Sequence, residues 1–401
     1  MIIWMTITSI NMKKILIVVQ RSYPSIGGTQ IHSFLYAKEL VKLGYKVDIV
    51  TSTSLDDKDI KIIFWKNKKY LLNKRSELKR KEIVDGIEIR RFKPWFQILN
   101  EMINPSMFIY LLFNIRKYDV IHTYCYMYAE SDMVSFISLI YRNLKIIHSP
   151  QDLDIPYDGL IKKLKENIYD KTFGALTLHR AKSIIVLTEE LKKRAISLGA
   201  NTNKVKILPI GIDYSKYHKD EETKRDIDIL FVGRLMEYKG AGLVIDTVNK
   251  IRGYVKVKCV IAGHDYGYKE TLEKQIHNLK LTNVSLITDT SDKELIDLYN
   301  RSRFFVFPSR GEGFGGVVLE AIAGGCYPIL LSEKGLKSLL KDVGGYPIFK
   351  DKDIPNQISD FLIKNWKTDF SEEVKRMQDI IKENYNWGNI TKKLAQIYEE
   401  K

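Results

Sequence analysis

The sequence predicts an α/β protein of two doubly wound domains, each a parallel sheet covered by helices, and three features predict it. The chain opens with a strand-helix-strand unit, a second alternating series starts near Ile227, and a polar, charge-dense stretch lies between them. In order, Lys14 to Val19 is an apolar strand, Gln30 to Leu43 has helical spacing and stops at Gly44, and Lys46 to Val50 is a second strand. Val120 to His122, Lys145 to Ile147 and Ser183 to Leu187 are later strands of the first half. Ile212 to Arg225, running into Lys219-Asp-Glu-Glu-Thr-Lys-Arg-Asp226, has the composition of a linker. The second half alternates helices with strands at Ile229 to Val232, Lys256 to Ala262, Val284 to Ile287, Phe304 to Phe307 and Pro328 to Leu331. A last helix, Trp387 to Glu400, carries Ile390, Leu394, Ile397 and Tyr398 and is expected to dock by that face. The expected division is residues 12–212, 213–385 and 386–401.

Composition agrees with this size. A chain of 401 residues with 45% hydrophobic content can bury more than one core. Cys125, Cys259 and Cys326 are widely spaced inside apolar stretches, which points away from a disulfide framework or a cysteine-based zinc site and fits a reducing cytoplasm. The apolar start, Met1 to Ile10, precedes Lys13-Lys14, the reverse of a signal peptide's order, and leaves both Met1 and Met12 open as the start. No apolar run approaches the roughly eighteen residues that span a bilayer, so an integral membrane protein is not expected.

Two motifs carry chemistry. In Arg310-Gly-Glu-Gly-Phe-Gly-Gly-Val-Val-Leu-Glu320, Glu312 and Glu320 flank a glycine-rich turn from a strand into a helix. Gly311, Gly313, Gly315 and Gly316 let a ligand approach the main chain, and free amides at a helix start attract anions. Glu320 is suited to accept two hydrogen bonds from vicinal ribose hydroxyls, and Glu312 to meet a transferred sugar, although acids near a helix start also serve the dipole alone. The second motif, Asp228-Ile-Leu-Phe-Val-Gly-Arg-Leu-Met-Glu-Tyr-Lys-Gly240, is an apolar strand that ends at Gly233 and delivers Arg234 and Lys239 into the next loop. Ligands of open parallel sheets bind at that edge, where a departing nucleoside diphosphate needs its charge neutralised. His148 follows a predicted strand ahead of Pro150, a place from which a side chain can reach a cleft. Asp152 with Asp154, and Asp226 with Asp228, form D-x-D pairs, but neither has a second acidic cluster, and Arg234 with Lys239 supplies the charge a metal would bring.

With these residues the chain resembles family 4 of the retaining glycosyltransferases, from about Lys14 to the C-terminus. Pro24-Ser-Ile-Gly-Gly28, Ala181 to Glu190, Leu208-Pro-Ile-Gly-Ile-Asp213, Gly233-Arg-Leu with Lys239-Gly240, and the Glu312 to Glu320 element occur in the family's order. The resemblance implies the GT-B fold, two Rossmann-like domains facing across a cleft. Residues 12–212 would bind acceptor, 213–385 would bind the sugar nucleotide, and the helix in 386–401 would return to the first domain. It further implies Arg234, Lys239, Glu312 and His148 as catalytic residues, and Gly28, Gly233, Phe314, Gly315, Gly316 and Glu320 as donor contacts. The donor is then a substrate, and neither metal nor cofactor is expected. Ile210 stands where Asn is usual, His264 where a second Gly is frequent, and Leu286-Ile-Thr-Asp-Thr290 lacks the common glycine. The last two leave donor identity open.

The reaction expected is transfer of a sugar from a nucleotide diphosphate to a hydroxyl acceptor with retention of configuration. A sugar-nucleotide 2-epimerase of the same fold and a soluble glucan- or sucrose-type synthase are the alternatives. The 64 basic against 49 acidic residues leave +15, much of it in Lys58 to Lys93, where Trp65, Tyr70, Phe92, Trp95 and Phe96 are interleaved. That mixture suits an anionic membrane surface beside a lipid-linked glycan acceptor, at the inner face of the cell membrane, or else a solvated surface. It matches no helix-turn-helix, zinc or RNA-recognition pattern, so no nucleic-acid partner is expected.

Overall fold

The computed structural model describes residues 12–25, 27–54, 78–98, 101–151, 153, 167–218 and 223–400. Its first sheet contains β1 (Lys14–Val18), β2 (Lys46–Ser52), β3 (Lys81–Val84) and β4 (Ile87–Phe92). A small antiparallel pair, β5 (Phe96–Ile98) and β6 (Glu101–Ile103), stands apart from it. The first sheet then continues with β7 (Val120–Tyr124), β8 (Ile146–Ser149), β9 (Ser183–Val186) and β10 (Val205–Ile207), in the order β10-β9-β8-β7-β1-β2-β4-β3. Only β3 runs antiparallel within it. The second sheet, β13-β12-β11-β14-β15-β16, is parallel throughout, with β11 (Ile227–Val232), β12 (Cys259–Ala262), β13 (Val284–Ile287), β14 (Ser302–Phe307), β15 (Tyr327–Leu331) and β16 (Tyr346–Ile348).

Alternation along β1 shows why a parallel strand reads as a continuous apolar run. Ile15 and Ile17 face the helix Gly28–Lys42 and the C-terminal helix Trp387–Glu399, whereas Leu16 and Val18 face the helices Pro105–Asn114 and Ala129–Ile140. Both sides are buried from Ile15 to Val18, and the one charged residue of the strand, Lys14, is at its exposed start. The predicted face of the last helix docks as expected: Ile390, Leu394, Ile397 and Tyr398 are all buried in the first domain's core.

Sequence reasoning passed over β3, β4, β5, β6, β10 and β16. In β4 the inward positions are Ile87, Ile89 and Arg91, so a charged residue interrupts the apolar alternation. Arg91 is tolerated there because Glu82 pairs with it at 2.6 Å and the carbonyls of Lys79 and Tyr23 accept its remaining donors. Lys81 and Arg90 both pair with Glu88. These three cations of the basic segment therefore serve the fold. Residues 55–77, which hold most of that cluster, lie outside the described residues, as do Asp152 and Asp154.

The chain crosses between domains twice, and the crossings lie side by side. Ile212 donates its amide to the Tyr385 carbonyl at 2.7 Å, and Trp387 packs so tightly on Gly211 that a Cβ there would meet its ring at 2.5 Å. The expected linker is thus partly ordered, with a short helix at Tyr214–Tyr217. Residues 219–222 within it are outside the described residues.

Candidate active site

The strand order of the second sheet reverses between β11 and β14. The chain leaves β11 toward β12 on one side and leaves β14 toward β15 on the other, which opens a crevice beyond the carboxyl ends of both strands. The two chemical motifs emerge at those ends. After β11 the chain passes Gly233 and Arg234 into a tight turn, Glu237–Lys239. Gly240 follows at φ +84°, with Pro308 2.8 Å from where a Cβ would lie, so only glycine lets the two loops meet. The Arg310 amide donates to the Tyr238 carbonyl at 2.9 Å and joins them.

The cations differ in setting. Lys239 is 6% exposed, and its ammonium is ion-paired with the Glu312 carboxylate, which also accepts from the Ser309 hydroxyl at 3.0 Å. Burial pushes the Lys239 pKa down, opposed by the Glu312 charge. Arg234 is exposed; it donates to the Tyr238 hydroxyl at 3.1 Å and lies over the Tyr266 ring at 5.5 Å.

The glycine-rich turn leads to the helix Gly316–Ala323. Gly315 caps it at φ +96°, where a Cβ would sit 2.6 Å from Leu336. Phe314 is buried against Tyr385. Gly316 faces Ile210 from the first domain, whose Cδ1 lies 2.9 Å from where a Cβ would sit. That contact is a physical reason for an apolar residue at position 210. On the helix, both Glu320 oxygens are already engaged, Oε1 by the Tyr217 hydroxyl at 3.0 Å and Oε2 by that of Tyr299 at 2.9 Å. Each oxygen keeps a lone pair for a further donor. Burial raises the Glu320 pKa, and the two tyrosines pull it back. Sequence reasoning missed both tyrosines, because neither belongs to the strand-turn-helix segment.

Across the cleft, His148 stands within β8 rather than in the loop after it, and is fully buried. The predicted strand stops at Ile147, two residues before the observed end at Ser149. Its Nδ1 lies 2.9 Å from the Thr123 hydroxyl, while its Nε2 has no hydrogen-bond partner among the described residues. Burial lowers its pKa to about 3. Gly28 begins the helix Gly28–Lys42, and one turn on, His32 hydrogen-bonds Gln151; burial holds His32 at about 4. The Gln151 carbonyl in turn faces Gly313, 3.0 Å from where a Cβ would lie. His32 is a second missed residue, hidden because a lone histidine in a helix carries no pattern. The D-x-D at 226 and 228 is occupied structurally: Asp226 pairs with Arg301 and Lys258, and Asp228 accepts the Lys258 amide.

Residues 26–216 match the family described as Glycosyltransferase Family 4, and residues 213–387 match Glycosyl transferases group 1. The chain belongs to glycosyltransferase family 4. It is therefore a glycosyltransferase of the GT-B fold. An uncharacterized glycosyltransferase of Methanocaldococcus jannaschii is 25% identical over 404 residues, covering 93% of this chain and 94% of that one. The phosphatidylinositol N-acetylglucosaminyltransferase gpi3 subunit of Schizosaccharomyces pombe is 23% identical, covering 94% of this chain and 78% of that one. Among solved structures, Anabaena HepE in complex with UDP and glucose superposes with a TM-score of 0.72 at 17% identity, covering 96% of this chain and 98% of that one. This family 4 enzyme has no helix among its described residues long and apolar enough to cross a membrane.

Proposed function

We propose that this glycosyltransferase moves a sugar from a nucleotide-diphosphate donor to a hydroxyl of a lipid-linked glycan or cell-surface polysaccharide precursor, with retention of configuration. The observation that carries this reading is the convergence of Arg234, Lys239, Glu312 and the Gly315–Gly316 helix start at one topological switch point. A diphosphate placed there meets two cations and free helix amides, which stabilise charge developing on the leaving group.

The Lys239–Glu312 pair makes the site ready in the absence of donor. Phosphate oxygens compete for the ammonium, and the released Glu312 oxygen accepts hydrogen bonds from sugar hydroxyls nearby. Glu320 presents its remaining lone pairs to a ribose diol, held in place by Tyr217 and Tyr299. The His148 imidazole stays uncharged at neutral pH, and its Nε2 serves as a hydrogen-bonding rather than an ionic contact. With Glu312 hydrogen-bonded to the sugar hydroxyls and Glu320 held by two tyrosines, attack by the acceptor on the leaving group's own face is favoured over a glycosyl-enzyme. The acceptor class draws support from the Schizosaccharomyces pombe relative, whose name places its acceptor on phosphatidylinositol.

Thermal unfolding in the presence of UDP-, GDP-, ADP- and dTDP-sugars tests the site, because a ligand that binds only the native state raises the melting temperature. A shift with one donor class, abolished by Glu320→Ala, is expected. No shift with any of them would overturn the donor reading.

A further inference from the structure

Two neighbouring helices of the first domain carry the wrong surface for solvent. In a chain with 28% charged residues, Pro105–Asn114 contains none, and Ala129–Ile140 has only Glu130 and Asp132, both in its first turn. Glu130 is fully buried, and Asp132 accepts from Tyr169 at 2.7 Å and from Thr177 at 3.2 Å. Each helix buries one apolar face in the core through Met107, Leu111, Val134 and Ile137. Each also turns apolar residues outward: Ile109 and Phe113 one helical turn apart, and Phe136, Leu139 and Ile140, with Phe113 74% and Ile140 63% exposed. A helix apolar all round is normally covered, so something covers this face.

The rim of the face is basic. Ile140 borders a cavity of about 450 Å³ lined also by Arg116, Asp119, Tyr141, Arg142 and Lys145. Asp119 is engaged by the Lys14 amide and Lys145 by the Tyr398 and Glu400 carbonyls. Arg116 lies over the Tyr141 ring at 5.3 Å, and neither it nor Arg142 meets a carboxylate among the described residues. Lys117 beside them is exposed. Apolar side chains that insert and cations poised at their edge match a bilayer containing anionic lipid. A second copy of this chain fits less well, because the outward faces of these helices offer no acid to that rim.

We infer that the outer face of helices Pro105–Asn114 and Ala129–Ile140 docks on an anionic membrane, Phe113 and Ile140 entering the acyl boundary and Arg116 and Arg142 binding headgroup phosphates. Arg90 of the basic segment lies over the Tyr110 ring of Pro105–Asn114 at 4.8 Å, and the inference deepens the proposed function, since it rests on an acceptor held in lipid. Ala129–Ile140 starts just past the carboxyl end of β7, beside the cleft. Its twelve residues span about 18 Å, so a membrane lying along it brings a lipid-linked acceptor to the cleft mouth.

Flotation of the full chain with phosphatidylcholine vesicles, with and without phosphatidylglycerol, tests the inference. Binding to the anionic vesicles only is expected; Arg116→Ala with Arg142→Ala should weaken it roughly 30-fold, and Phe113→Ser with Ile140→Ser should abolish it. Nucleotide-sugar stabilisation, unchanged in both variants, shows that the fold and donor site persist. Wild-type protein that fails to float while still binding donor overturns the docking face and leaves the transferase reading intact. Unaltered flotation of both variants moves the membrane contact elsewhere and also overturns it. A dimer by light scattering that Phe113→Ser with Ile140→Ser dissolves reassigns the face to self-association.

Discussion

Acid should weaken this fold through its buried histidines, and for His122 and His148 the size of the effect follows from their burial. His122 and His148 are 1% and 0% exposed, and burial holds each at a pKa of about 3. In the unfolded chain each titrates near 6.5. Protons therefore bind the unfolded state preferentially. The stabilisation is complete above about pH 6.5 and is lost as pH falls toward 3. Between pH 7 and pH 5 each histidine costs the fold about 2 kcal/mol, and the pair about 4 kcal/mol. Urea unfolding followed by circular dichroism at the two pH values measures this, with His148→Gln as the comparison. That variant will be less stable at pH 7, but its loss on acidification should be smaller by about 2 kcal/mol. Carboxylates, including Glu320 with its raised pKa, titrate alike in both proteins and cancel. An equal loss in wild type and variant would refute the reasoning, by showing that His148 takes up its proton in the folded state.

Three further outcomes are expected. Arg234→Ala, at an exposed position, should lower turnover by about 100-fold or more with the melting temperature unchanged, and steady-state kinetics showing normal turnover would remove Arg234 from the site. Tyr217→Phe deletes the donor to Glu320 Oε1, so KM for the nucleotide sugar should rise about fivefold to tenfold while kcat holds; a fall in kcat alone would contradict a ribose role for Glu320. Gly315→Ala forces a Cβ to within 2.6 Å of Leu336 at φ +96°, which should cost about 1–3 kcal/mol in a denaturant melt.

The central strands buried on both faces, the glycine-rich turn and the placing of Arg234 and Lys239 after β11 were legible in the sequence, because a run such as Phe304 to Phe307 is apolar on both faces. Those signals are local, carried within one element and its flanking turn. Only the tertiary structure decided that β11 and β14 lie side by side, and hence that Lys239 meets Glu312. It also decided that Tyr217 and Tyr299 converge on Glu320, that His148 is buried within β8, and that two helices turn Phe113 and Ile140 outward. Strand order and helix facing depend on which distant segments bury each other's surface, and side-chain periodicity within one segment carries no information about that choice.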